Sequence, residues 1–209
     1  MKKVFNKTSF SLIELLAVMA ICVILLAITI PAFNSITKGQ KVEIAARTIG
    51  SQLKAVRSYA ITNREYIALI IPTTESLSSE YLYKAYRPCI VNSSFVFQGW
   101  VSGEKWEFMP TGTAILDVDG TLEHSAAGAG SFSSAGPITS VDFSSIGGGG
   151  SIPSKGIVFT STGKTTNPGT RKYVVVGDSL LLEDGVTSTE NYIEITIDLY
   201  SGRISYGSN

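Results

Sequence analysis

Hydrophobic and polar positions follow three rhythms along this chain. From Phe10 to Phe33 there is no alternation: "FSLIELLAVMAICVILLAITIPAF" is apolar on every side of a helix, and Glu14 is its only charged residue. As a helix the stretch measures about 36 Å at ~1.5 Å per residue. A bilayer core of roughly 30 Å needs about 20 such residues, so the stretch is long enough to span one. Over 34–64 a period of three to four takes over. Ala45, Ile49, Leu53, Val56 and Ala60 form one stripe of an amphipathic helix, with Arg47, Lys54 and Arg57 largely off it. Gly39 and Gly50 are weak points there, each costing about 1 kcal/mol relative to Ala.

From Glu65 onward short branched and aromatic runs alternate with turn-forming clusters. "EYIALIIP", "YLYKAYRPCIV" and "SFVFQGWV" come first, then "GIVFTSTG", "KYVVVGDSLLLE", "YIEITIDL" and "GRISYG". These read as antiparallel strands against which the helical stripe is buried. The expected fold is α+β, with a long N-terminal helix, its first half membrane-spanning, laid on an antiparallel β head. The stretch from about 124 to 156, "SAAGAGSFSSAGPITSVDFSSIGGGGSIPSKG" at its centre, is Gly- and Ser-rich and reads as a long loop within the head.

Charge divides the chain further. Lys2, Lys3 and Lys7 precede the apolar run without an acidic residue beside them, which places that end in the cytoplasm and the head on the exported side. Residues 38–64 carry six basic residues against Glu43, a balance of +5. Residues 65–209 carry eight basic and fifteen acidic residues, a balance of −7. A head this acidic is a poor match for nucleic acid, whose affinity rests on Lys and Arg neutralising phosphates. The basic helix residues read as a solvated face, with lipid headgroups or DNA as the alternatives.

Glu14 decides between readings of the N-terminus. A secretory signal peptide has an apolar region of about 7–15 residues and a small-residue cleavage site, and "AITIPAF" offers none. A plain single-span anchor gives Glu14 no purpose, although a carboxylate in a membrane helix costs roughly 2.5–3.5 kcal/mol. Cleavage between Ser9 and Phe10 gives it one. The new amine of Phe10 lies one helical turn from Glu14, and in a bundle of such helices the carboxylate of one subunit can pair with the terminal amine of the next.

These residues resemble the N-terminal segment of type IV pilins and type II secretion pseudopilins. The resemblance implies a leader (1–9) removed by prepilin peptidase before Phe10, N-methylation of Phe10, subunit assembly through Glu14, and a helix kink at Pro31. The residue before the cut is Ser9, where the family usually has Gly. Further along, "AARTIGSQLKAVRSYAITNREYIALII", "WEFMPTG", "GIVFTSTGK" and "YIEITIDLYSGRISY" are similar to the core of GspH/FimT-type minor subunits. The implied organisation is a leader at 1–9, an assembly helix at 10–33, its amphipathic continuation at 34–64 and the head at 65–209. The implied partners are other pilin or pseudopilin subunits, the peptidase and an inner-membrane assembly platform. Expected alternatives are a membrane-anchored binding or adhesion domain and a DNA-uptake pilin.

Other chemistry is thin. "DVDGTLEH" places Asp117, Asp119 and Glu123 where calcium could be held, but it lacks the remaining ligands of an EF-hand loop, and Asp-Gly there suits a hairpin turn. His124, the only histidine, has no nucleophile motif beside it. "GGGG" at Gly147–Gly150 lacks the Lys-Ser or Lys-Thr of a phosphate loop. Phe95, Phe97, Trp100 and Trp106 alternate as core residues do. No cluster of titratable groups argues for an enzyme, and Cys22 and Cys89 lie too far apart in the expected architecture to pair.

Overall fold

The computed structural model describes residues 12–73, 77–118, 138–147, 151–165, 172–179 and 192–208, with the helix side chains at 28 and 30–39 not described. The chain divides into two units, 1–39 and 40–209. One helix, α1 (Leu12–Asn63), contributes to both.

In the second unit α1 works as a core element. Val42, Ala45, Ala46, Ile49, Leu53, Val56 and Ala60 are all buried, so the period read from the sequence is the face the helix presents inward. The helix ends on Arg64, which takes the left-handed conformation (φ 57°) usually left to glycine. The Glu65 amide then donates to the Ala60 carbonyl at 3.2 Å, and Asn63 Nδ2 donates to the Tyr59 carbonyl at 3.0 Å. Both bonds satisfy carbonyls that the last helical turn leaves open.

Two antiparallel sheets cover that stripe. The first has the order β3-β2-β1-β7-β6, formed by β3 (Phe97–Trp100), β2 (Ala85–Val91), β1 (Tyr66–Ile71), β7 (Ser151–Phe159) and β6 (Ile138–Asp142). The two-residue β4 (Glu107–Phe108) pairs β2 off this path. The second sheet has the order β10-β9-β8-β5, formed by β10 (Ile204–Ser208), β9 (Tyr192–Ile197), β8 (Lys172–Asp178) and β5 (Thr113–Val118). An α+β fold with antiparallel strands is therefore what the chain adopts.

β1 is buried on both of its faces, which is why it reads as the continuous run "YIALII". Ile67, Leu69 and Ile71 join the helix in one core, together with Ile157 and Phe159 of β7 and Val174, Val176, Ile195 and Ile197 of the second sheet. Ala68 and Ile70 face a second core with Cys89, Val91, Val158, Ile138, Val141, Phe143 and Ile146. The first sheet encloses this second core by curling until its two ends meet. Val96 bridges Thr139, and the Thr139 amide donates to the Phe95 carbonyl at 3.0 Å.

The reading of 124–156 as one loop is corrected by β6 and by a 3-10 turn at Ser144–Ile146. Ile138, Val141, Phe143 and Ile146 are buried, and this spacing anchors the segment despite the Gly and Ser around it. Residues 124–137, His124 among them, lie outside the described residues.

Candidate functional site

The helical residues from Leu12 to Leu26 carry eleven large apolar side chains, each between 55% and 83% exposed. At about 100° per residue these positions point in every direction around the axis, so no single neighbouring surface could cover them. Exposed apolar surface on that scale marks a protein–protein or membrane contact. Among the described residues no helix is long and apolar enough to cross a membrane. The described side chains of this stretch run from Leu12 to Ala27, with Thr29 beyond.

Glu14 sits exposed in the first turn of the described helix. The cleavage and methylation residues Ser9 and Phe10 lie outside the described residues. The helix runs through Pro31, whose side chain is not described.

In the 40–209 unit, the motifs picked out from the sequence converge on α1. Glu107 of "WEFMPTG" accepts two hydrogen bonds on one carboxylate oxygen: Gln52 Nε2 of the helix at 2.8 Å and the Tyr86 hydroxyl of β2 at 2.9 Å. Burial, and secondarily the Glu107 carboxylate, hold the Tyr86 phenol well above its ordinary pKa. Beside Glu107, Met109 enters the core, and Gly112 turns the chain at φ 86° toward β5.

Arg57 gathers the other two motifs. Its Nε donates to the Gly163 carbonyl at 3.0 Å and its Nη2 to the Ser201 carbonyl at 2.7 Å. Gly163 lies in the turn after β7, where its amide donates to the Thr160 carbonyl at 2.8 Å. Gly202 lies in the hairpin joining β9 and β10, with φ 63°, and a Cβ there would collide with the Gly163 carbonyl and with Arg57. One helix side chain thus ties a turn of each sheet to α1. The solvated-face reading of Arg57 gives way to this clamp. Gly50, read as a weak point, has the Tyr206 hydroxyl and ring edge lying across it, so a Cβ there would displace that ring.

No protein-family profile matches the chain, and no curated protein matches it. Among solved structures the chain is similar to the minor pseudopilin EpsH from the type 2 secretion system of Vibrio cholerae, at 10% identity over 80% of this chain and 97% of that one, with a TM-score of 0.45. It is also similar to the type IV minor pilin FimU of Pseudomonas aeruginosa in two crystal structures. Both comparisons give 14% identity and cover 92% of that chain, with 79% and 83% of this chain and TM-scores of 0.42 and 0.44.

Of the three calcium candidates, Asp117 lies among the described residues. The Asp117 carboxylate accepts the Val118 amide at 2.6 Å and stands 3.9 Å from Lys155 Nζ, while Asp119 and Glu123 lie outside the described residues. No group of three metal-ligating side chains occurs among the described residues. The aromatic residues form one half-buried cluster on the first sheet. Trp100 meets Trp106 edge-on at 5.1 Å, Trp106 stacks on Phe143 at 6.0 Å, and the Arg87 guanidinium lies 4.4 Å above Trp100. Burial lowers the Arg87 pKa, and the stacked ring supplies part of the stabilisation that water would give its charge.

Proposed function

We propose that this chain is a pilin-type subunit whose work is structural. The observation that carries the reading is the division of α1. One stripe of its second half is the core of the head, whereas the residues from Leu12 to Ala27 are apolar on every side of the helix and exposed. A helix of that kind needs lipid or other helices around it, and a carboxylate near its start favours helices that bring a positive charge.

In this reading the chain inserts with residues 1–9 in the cytoplasm and the head exported. Prepilin peptidase cuts between Ser9 and Phe10, the Phe10 amine is methylated, and residues 10–33 leave the membrane to pack among neighbouring subunits. Glu14 sets their register against a terminal amine, Pro31 kinks the helix, and the assembly platform of the inner membrane drives the transfer. The product is a type II secretion pseudopilus or a type IV pilus in which this chain is a minor subunit.

Intact and N-terminal peptide mass spectrometry of protein purified from its native membrane tests the reading. A chain starting at Phe10 with one added methyl group is expected. A chain still starting at Met1 would leave a permanently anchored binding or adhesion domain instead.

A further inference from the structure

We infer that Asn92 is a glycosylation site, where a sugar chain is transferred from a lipid-linked pyrophosphate donor to the side-chain amide. The inference rests on one part of the pilin-type reading, the export of the head. Asn-x-Ser/Thr, with no proline between, is the acceptor motif that such transferases read on exported surface loops. Among the asparagines at 34, 63, 92, 167 and 191, only Asn92 has Ser or Thr two places on, in "NSS".

The triplet forms the turn between β2 and β3, and Asn92, Ser93 and Ser94 are all exposed. Its backbone is held. The Asn92 amide donates to the Val96 carbonyl and the Phe95 amide to the Asn92 carbonyl, both at 3.0 Å. The side chain is held too, because Asn92 Oδ1 accepts the amides of Ser94 and Val96, each at 2.9 Å. These bonds fix the amide plane, turn Nδ2 away from the two backbone donors and fold residue 94 back against the side chain. Two donors on Oδ1 also draw electron density from the nitrogen, which loosens its protons.

Among the described residues neither Nδ2 nor Ser94 Oγ has a hydrogen-bond partner. The turn thus engages the oxygen of Asn92 and the amide of Ser94. It leaves unused the nitrogen to be modified and the hydroxyl to be recognised. In the transfer, Nδ2 attacks the anomeric carbon of the donor sugar. The N–C bond forms as the C–O bond to pyrophosphate breaks. The lipid pyrophosphate leaves with the electron pair, and one Nδ2 proton passes to a base of the transferase. Oδ1 is untouched, so both turn bonds survive the modification.

Peptide mass spectrometry of the full chain from its native membrane, read across the tryptic segment 85–105, tests the site. The expected result is a glycan on Asn92 that is lost in Ser94→Ala and kept in Ser94→Thr. An asparagine kept for the turn alone makes no such demand on residue 94. Asn92→Asp retains the acceptor of both turn bonds, so it should lose the glycan and melt like the parent. An unmodified segment in the parent would overturn the site, and the N-terminal mass from the same sample would decide the subunit reading separately. Sugar on Ser93 or Ser94, or on Asn92 in spite of Ser94→Ala, would overturn it as well. A glycan on Asn92 in a chain still starting at Met1 would uphold the site and remove the pilin-type processing.

Discussion

Cys89 and Tyr86 stand in successive turns of the β2 zigzag and face different cores, and burial acts on both in the same direction. The Cys89 thiol is pushed far above its usual range by desolvation, with the Ala68 backbone and Arg87 opposing only weakly. Tyr86 is raised by burial and by Glu107. The native head therefore keeps both protons where an unfolded chain releases them, near pH 8.5 for a thiol and near 10 for a phenol. Their contribution to stability is whole below about pH 8.5 and declines above it. Cys89 alone should remove about 2 kcal/mol between pH 8 and 10. Urea midpoints measured across that range should fall, and Cys89→Ala should flatten the fall while lowering the midpoint at pH 8. A parent midpoint constant from pH 8 to 10 would contradict this account.

At the scale of elements, α1 serves two purposes. Its stripe from Val42 to Ala60 is indispensable to the head, so a chain beginning at Gln40 should be soluble and melt cooperatively, and one beginning at Ile61 should not fold. Ile49, fully buried, should cost about 3–4 kcal/mol when cut to Ala. Calorimetry on the Gln40 chain and its Ile49→Ala variant checks both points. The stripe was legible because helical spacing of Ala45, Ile49, Leu53, Val56 and Ala60 has no competing explanation. β1 to β3 and β7 to β10 were legible as branched and aromatic runs between turn residues. β6 was not, because Ile138, Val141, Phe143 and Ile146 sit among glycine and serine and a register shift breaks their alternation. Gly50 and Arg57 were misread because their reasons lie more than a hundred residues away, in Tyr206, Gly163 and Ser201. Spacing along α1 carries no trace of partners so distant.

For the molecule as a whole, the proposed assembly makes Glu14 expensive alone and useful in company. Glu14→Ala should leave insertion into the membrane intact, since removing a carboxylate spares roughly 2.5–3.5 kcal/mol there. Co-assembly should be lost or much slowed. Membrane fractionation together with recovery of the chain in sheared fibres separates the two effects. Normal incorporation of the variant would remove the role given to Glu14 while leaving the apolar helix as the assembly element.

The clamp at Arg57 bears on how this head can change over time. Both acceptors are main-chain carbonyls, those of Gly163 and Ser201. The two bonds make no demand on the side chains of their acceptors. The turns themselves do: Asp198 Oδ1 accepts the Ser201 amide at 2.7 Å and Thr160 Oγ1 accepts the Lys164 amide at 3.2 Å. Drift in 160–164 and 198–203 is therefore confined to positions outside these turn-forming residues and the two glycines. Arg57, Gly163 and Gly202 must instead be kept or lost together. Distant kin of this chain would be recognised sooner by an arginine late in the first helix and a glycine in each of two later turns than by any run of matching residues.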